Sequence, residues 1–174
     1  VNVVGTLQNN GSAVEVDSVT FKEGGTNFTN SLLVGTSSTG TLSSADGNTG
    51  VGTGVFGALT SGDNNVAVGL NALNANTTGP DNVAVGFESM LTNTIGCRNV
   101  AVGKRSLKLN TEGCDNVAIG TNSLCANTTG DFNIAVGFDS LRLNTTANNN
   151  TGLGYYALRS NTTGHSNVAV VKVL

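Results

Sequence analysis

Large apolar and small residues alternate in a five-residue motif that recurs every 17 residues along most of the chain. Clear copies read Asn-Val-Ala-Val-Gly at 82–86 and 99–103, and the period runs without insertion from Asn48 to Asn167. Because alternate side chains of a strand point to opposite faces, the two Val share one face and Asn, Ala and Gly the other. A fixed period of this kind predicts a solenoid with one supersecondary unit per turn.

A second apolar motif lies between the copies and carries Leu at alternate positions. In the example Ser106-Leu107-Lys108-Leu109, an extended backbone would place both Leu on the face opposite Ser106 and Lys108, and the same holds for Ser140-Leu141-Arg142-Leu143. Leu107, Leu124 and Leu141 are expected to be buried. A charged side chain faces solvent, so the Leu face is assigned to the interior. We therefore predict an all-β fold, a parallel β-solenoid (β-roll) of 17-residue turns. Each turn would contain two short strands whose Val/Ile and Leu faces meet in a thin core.

The repeat pattern also divides the chain into segments. Residues 1–47 are predicted to form an N-terminal β segment and lead-in that caps the solenoid. Within it, Asn10-Gly11 predicts a hairpin between short strands that include Val14-Glu15-Val16, Gly24-Gly25 predicts a further turn, and a degenerate turn is expected to begin near Ser31. The solenoid spans 48–171, and residues 172–174 leave it for a following element.

Two columns of the repeat are interpreted as structural. Stacked amides can donate to one neighbour and accept from the other, so the Asn column predicts a hydrogen-bonded ladder. The Gly column, from Gly52 to Gly154, predicts a positive φ or a lack of room for a Cβ. The ladder comprises Asn48, Asn65, Asn82, Asn99, Asn116, Asn133, Asn150 and Asn167.

The Ala column is predicted to lie on the strand face opposite the core. It carries no charged residue in any turn, and a flat apolar strip of this length is usually covered by another surface. We therefore expect a parallel homotrimer in which this column lies at or near the subunit contacts, with a monomeric solenoid as the alternative. The candidate contact residues are Ala67, Ala84, Ala101, Ala118, Ala135 and Ala169.

Composition narrows the class of partner. The chain has 24 Gly in 174 residues, only 11% charged residues and a net charge of -3. Such a chain is not expected to bind nucleic acid or an anionic membrane, and no apolar run approaches the roughly 20 residues of a spanning helix. The regular Val, Ile and Leu columns argue against disorder.

The sequence predicts neither an active site nor a cofactor or metal site. His165 is the sole histidine and occupies a variable turn position, and the carboxylates Glu88 and Asp139 share a column but lie three turns apart. That separation exceeds the roughly 5–10 Å of a glycosidase pair. The protein is therefore not expected to be an enzyme.

Four further features have alternative explanations. The Asn-Thr-Thr sequences match a glycosylation sequon but are attributed first to turn chemistry. The Thr column that begins at Thr77 suggests ice binding as an alternative function. The exposed aromatic column of Phe87, Phe138 and Tyr155 suggests contacts with a partner or a sugar, although packing is the favoured explanation. Cys97 and Cys114, one period apart, are expected to have Cα atoms about 5 Å apart and to be free thiols. The four Asn-Thr-Thr sequences that match the glycosylation sequon begin at Asn76, Asn127, Asn144 and Asn161.

The repeat Gly-x-x-Ala/Ser-Leu-x-x-Asn-Thr-Thr-Gly-x-x-Asn-Val-Ala-Val-Gly resembles the repeats of phage tail-fibre and virion-appendage proteins. Its core, Asn-Val-Ala-Val-Gly, is also similar to the Asn-Ser-Val-Ala-Ile-Gly motif of trimeric autotransporter adhesin heads of the YadA type. The resemblance covers residues 48–170 and implies a left-handed parallel β-roll assembled as a trimer. The period departs from the pattern, at 17 residues against about 14 in those heads.

These features together predict a structural fibre segment of a virion that spaces or presents a host-attachment region. Its expected partners are two further copies of the chain, other virion proteins and a glycan or protein on the host surface. The alternatives are a trimeric adhesin head on a bacterial cell surface and an ice- or glycan-binding repeat protein.

Overall fold

The protein is described by a computed structural model that covers residues 8–9, 12–13, 21–25, 28–35 and 39–171, where every regular element is a β-strand. Four strands come first: β1 (Gln8–Asn9), β2 (Ser12–Ala13), β3 (Phe21–Gly25) and β4 (Phe28–Val34). Eight three-residue strands follow: β5 (Thr49–Val51), β6 (Val66–Val68), β7 (Val83–Val85), β8 (Val100–Val102), β9 (Val117–Ile119), β10 (Ile134–Val136), β11 (Thr151–Leu153) and β12 (Val168–Val170).

Strands β4 to β12 form nine parallel strands of one sheet. Each residue pairs with the residue one period further on, as Ala84 does with Ala101, and β3 adds an antiparallel strand at the β4 edge. The eight steps between nine strands correspond to a rod about 38 Å long. The predicted parallel β-solenoid with a 17-residue turn is therefore confirmed.

The N-terminal hairpin follows the turn prediction. Strands β1 and β2 pair antiparallel, with Gln8 opposite Ala13, so they flank Asn10-Gly11 as expected. Gly24 and Gly25 lie within β3 instead of forming a turn. The Val14-Glu15-Val16 run and the predicted exit at 172–174 lie outside the described residues.

Parallel stacking begins one turn before Asn48. Leu32 and Leu33 of β4 pair in register with Thr49 and Gly50 of β5, and the Ser31 hydroxyl accepts a hydrogen bond of 2.8 Å from the backbone N–H of Asn48. Ser31 thus takes the place of an Asn in the ladder column. The degenerate turn expected near Ser31 is a genuine first turn of the solenoid.

Each repeat contributes one strand, not the two predicted. The segment after the glycine contains pairs of left-handed residues, such as Arg105 (φ 58°) and Leu107 (φ 47°), which break the two-residue alternation of an extended chain. The backbone of this segment still bonds to the next turn, because Leu107 N–H donates to the carbonyl of Ser123 at 3.0 Å. The turns are therefore joined along this side without a regular strand.

The broken alternation changes which Leu residues reach the core. Leu107, Leu124 and Leu141 are fully buried, as predicted. Leu109 and Leu143 were assigned to the same interior face, but they are 43% and 39% exposed. That assignment is wrong because Leu107 and Leu141 are themselves left-handed, which breaks the two-residue alternation before the second Leu is reached.

The Ala column lies inside the turn, and the Val columns lie outside. The Ala residues from Ala67 to Ala135 are fully buried with Leu107 and its equivalents in one core cluster. This corrects the predicted placement of Ala67, Ala84, Ala101, Ala118 and Ala135 at subunit contacts, since another chain cannot reach them. Ala169, in the last turn, is partly buried. The physical reason is width: between two segments of a single turn there is room for Leu opposite Ala, but not for Leu opposite Val.

The Gly column is required for two reasons at once. Gly103 has φ 134°, a conformation that an L side chain rarely adopts, and an added Cβ would lie 2.6 Å from the carbonyl oxygen of Gly120 in the next turn. Both the backbone conformation and the spacing of the turns therefore select glycine here.

Candidate functional site

The Asn column forms a continuous ladder of buried amides. The side-chain oxygen of Asn99 accepts both the backbone N–H and the side-chain amide of Asn116, at 3.0 and 3.1 Å. The Asn116 amide also donates to the carbonyl of Gly130 at 2.8 Å. The same pattern repeats from Asn48 to Asn133, so these side chains are used for stacking and are inaccessible to a ligand.

A second Asn ladder, which the sequence did not reveal, occupies the Asn-Thr-Thr-Gly turn. The side-chain amide of Asn127 donates to the side-chain oxygen of Asn110 at 2.8 Å and to the carbonyl of Gly130 at 2.9 Å. Three of the four sequon residues, Asn76, Asn127 and Asn144, are fully buried. Their amides are unavailable for glycosylation in the folded chain, which supports the turn interpretation.

The Thr column is a third ladder. The hydroxyl of Thr94 donates to the carbonyl of Thr111 at 3.0 Å, and equivalent bonds run from Thr60 to Thr162. These hydroxyl protons are therefore directed at the backbone of the next turn. An ice-binding surface would need them to orient water.

The turn that precedes each strand is held by side-chain acceptors from the following turn. Asp131 accepts the backbone N–H of Cys114 at 2.7 Å, Asn148 accepts that of Asp131 at 2.8 Å, and Nδ1 of His165 accepts that of Asn148 at 2.9 Å. His165 thus closes a structural row, as its variable turn position indicated.

The two aligned cysteines form a disulfide. The Cα atoms of Cys97 and Cys114 are 4.7 Å apart, close to the expected 5 Å, and their sulfur atoms are bonded. The prediction of free thiols is therefore wrong: the residues lie in the turn before the strand, where the side chains are not constrained to the parallel directions of strand neighbours. Cys125 remains a thiol, and burial raises its pKa.

Charged side chains gather in two similar clusters on the segment after the glycine. In the first, Oε2 of Glu88 contacts both Arg105 and Lys108 at 2.9 Å. The hydrogen bond from Lys108 contributes most to lowering the pKa of Glu88, to which Arg105 also contributes.

The second cluster repeats this design three turns further along the rod. Oδ2 of Asp139 contacts Arg142 at 3.3 Å and Arg159 at 3.2 Å. In both clusters a cation lies 20 residues after the carboxylate, which is the signal in the sequence that could have identified the pairs: Glu88 with Lys108, and Asp139 with Arg159.

Aromatic rings adjoin both clusters. Phe87 lies 5.8 Å from the guanidinium of Arg105. Near the second cluster, Phe138 stacks on Tyr155 with ring centroids 5.4 Å apart, and the Tyr156 ring lies 5.0 Å from the guanidinium of Arg159. The rings of Phe87, Phe138, Tyr155 and Tyr156 are all substantially exposed, so the predicted aromatic column forms a surface and not a buried layer.

A long apolar surface is the outer strand face, formed by the two side chains of each strand from β4 to β12 that point away from the core. It contains Leu32, Thr49, Val66, Val83, Val100, Val117, Ile134, Thr151, Val168, Val34, Val51, Val68, Val85, Val102, Ile119, Val136, Leu153 and Val170. All but two of these residues are apolar, and each is partly or largely exposed. This is a long strip of Val and Ile without a covering element in the described part of the chain.

No set of three or more His, Cys, Asp or Glu residues in the part of the chain that the structure describes could hold a metal ion. No helix among the described residues is long and apolar enough to cross a bilayer. Comparison with protein-family models, with curated proteins and with solved structures gives no significant match.

Proposed function

We propose that this chain is a structural segment of a virion fibre, such as a phage tail fibre, that spaces or presents a host-attachment region. The observation that carries the proposal is the continuous in-register stack of nine strands, backed by three side-chain ladders. Every buried polar side chain in the described residues has a hydrogen-bond partner. A rod built this way is stiff along its axis, because each turn is bonded to its neighbours by backbone and side chains alike.

A homotrimer is part of the proposal, with its contacts on the outer strand face. A contiguous apolar strip about 38 Å long is the kind of surface that marks a contact between proteins. Further copies of the same chain can cover it along its whole length, because the strip runs from the first to the last strand of the stack. A closed ring with its rotation axis along the rod gives every copy the same environment.

The trimer is tested by sedimentation equilibrium of the purified chain and of Ile119→Glu. Ile119 lies on the outer strand face and is 40% exposed, so the variant should remain β-structured by circular dichroism while its mass falls to that of a monomer. The control Thr129→Glu adds the same charge at an exposed turn position. A wild-type chain that sediments as a monomer, or an unchanged mass for Ile119→Glu, would contradict the trimer.

The fibre role is tested by immunogold electron microscopy of virus particles and cells from the source culture, with antibodies against residues 48–171. Label along an appendage of the particle is the expected result. Label on the bacterial surface in the absence of particles would favour the adhesin alternative. Thermal hysteresis of a purified solution would favour ice binding instead.

A further inference from the structure

We infer that the segment after the glycine carries a binding face for an acidic polysaccharide, built from the two cation–carboxylate clusters and their aromatic rings. We call it the cation–aromatic face. It adds to the proposed function, on which it depends for its biological role but not for its test. Attachment to a host would use such a face, whereas binding can be measured on the isolated chain.

The first step is charge segregation. The whole chain has a net charge of -3, yet this side of the turn carries five cations, Lys104, Arg105, Lys108, Arg142 and Arg159, against two carboxylates. Each carboxylate contacts two cations through one oxygen. Three positive charges on this side are therefore uncompensated.

The other acids within residues 39–171 lie elsewhere in the turn. They occupy the segment before the strand, where Arg98 is the accompanying cation and is already paired with Asp115 by two bonds of 2.8 Å. These acids are Asp46, Asp63, Asp81, Glu112, Asp115 and Asp131. An acidic polymer would be repelled from that side and attracted to the cation–aromatic face.

The second step is the chemistry that the cations leave available. Arg159 uses Nε to contact Asp139, so its two terminal nitrogens can donate to a carboxylate or sulfate as a planar fork. Arg105 likewise uses Nε on Glu88. The carboxylates orient both guanidinium groups, which lowers the entropy lost on binding.

The third step distinguishes a sugar polymer from a nucleic acid. Both cations of the first cluster contact Oε2 of Glu88, so Oε1 stays available to accept a bond from a sugar hydroxyl. The Tyr155 and Tyr156 rings offer an apolar surface beside hydroxyl groups, which suits the mixed polar and apolar faces of a pyranose. A single-stranded DNA has no free sugar hydroxyl within the chain to donate to Oε1 of Glu88, whereas each ring of a 1,4-linked uronic-acid polymer has two.

The fourth step is repetition. Glu88 and Asp139 occupy the same column three turns apart, which places the clusters about 14 Å from each other along the rod. A linear polymer that bears acidic groups at intervals can contact both clusters at once, so weak single contacts add up to useful avidity. Three parallel copies of the rod would multiply the effect.

The inference is tested by biolayer interferometry of the full chain with immobilised polygalacturonate, neutral dextran and poly(dT). Binding to polygalacturonate, with none to dextran and much weaker binding to poly(dT), is the expected result. Loss of one charged contact in Arg159→Gln or Lys104→Gln should weaken binding about tenfold. The matched control Arg98→Gln removes a cation from the acidic side and should leave the affinity nearly unchanged.

Three results would overturn the inference: no binding to polygalacturonate, equal binding of poly(dT), or equal weakening by Arg98→Gln. Lys104 is exposed and has no carboxylate partner in the described residues, so Lys104→Gln remains informative even if Arg159→Gln disturbs folding. A chain that binds polygalacturonate but labels no virus particle would retain this inference and remove the fibre proposal. If the antibodies label virus particles but the chain does not bind polygalacturonate, only this inference is removed.

Discussion

Two segments of the same turn obey different geometric rules. In β9, Val117 and Ile119 point outward and Ala118 is buried, so the strand alternates as an extended chain does. A few residues later, Leu124 is buried although its own φ is 49° and that of Asn122 is 55°. The strand uses alternation to divide two faces, whereas the second segment uses left-handed residues to direct one Leu per turn into the core.

The difference shows what an alternating pattern can and cannot specify. Alternation states which residues share a face, but a second observation is needed to say which face is inside. In the second segment a charged residue such as Lys108 provides that observation, and Leu107 was placed correctly. The strand contains no charged residue, and residue size alone led to the wrong face. In a narrow core the smaller residue is inside, and the larger Val and Ile are left for a partner.

The largest effect is expected from a charge on the inner side of a strand. Ala118→Glu places a carboxylate in a fully buried position, and such a change should cost at least about 5 kcal/mol and unfold the surrounding turns. Circular dichroism should show a strong loss of β signal. Ile119→Glu, one residue away on the outer side, is the matched control and should keep its β signal.

If the two variants lost equal β signal, the division of the strand into an inner Ala side and an outer Val side would be refuted. If Ala118→Glu kept its full β signal, the Ala column would be exposed, as the sequence predicts, and not part of the core. Thermal melts of both variants, followed at several protein concentrations, separate loss of folding from loss of association.

The next largest effect concerns the two Leu positions of the second segment. Leu124→Ala removes a fully buried side chain and should lower the free energy of unfolding by about 2–5 kcal/mol. Leu109→Ala truncates a side chain that is 43% exposed and should cost less than about 1 kcal/mol. Chemical denaturation measures both. Equal losses would mean that the segment alternates like a strand after all.

The sequence was sufficient for the features that depend on the period. The parallel stack, the Asn ladder and the Gly column all follow from residues that recur at one position, since in-register stacking brings identical side chains together. The cross-section of a turn does not follow from the period. It depends on φ values at positions such as Arg105 and Leu107, which are occupied by residues that do not favour a left-handed backbone.

The disulfide links two turns of the solenoid at a third segment, the turn that precedes the strand, and so adds a third part of the repeat to the comparison. The bond between Cys97 and Cys114 closes a loop with a sequence separation of 17, so its reduction should lower stability by about 3 kcal/mol if chain entropy dominates. Denaturant melts with and without reductant measure this. Titration of the denatured, unreduced chain should find one thiol, that of Cys125. A count of three thiols would show that Cys97 and Cys114 are free, as the sequence predicts.

The smallest effect compares glycine substitutions in the two segments of one turn. Asn71, in the second segment, has φ 57°, a region that glycine enters without steric cost, so Asn71→Gly should change stability by less than about 0.5 kcal/mol. Val66→Gly, in the strand of the same turn, should cost at least about 0.5–1 kcal/mol, because an extended position gains nothing from glycine and loses side-chain packing. Denaturation midpoints of the two variants test this difference. A greater loss for Asn71→Gly than for Val66→Gly would show that the Asn71 side chain, and not its left-handed backbone, determines the residue chosen there.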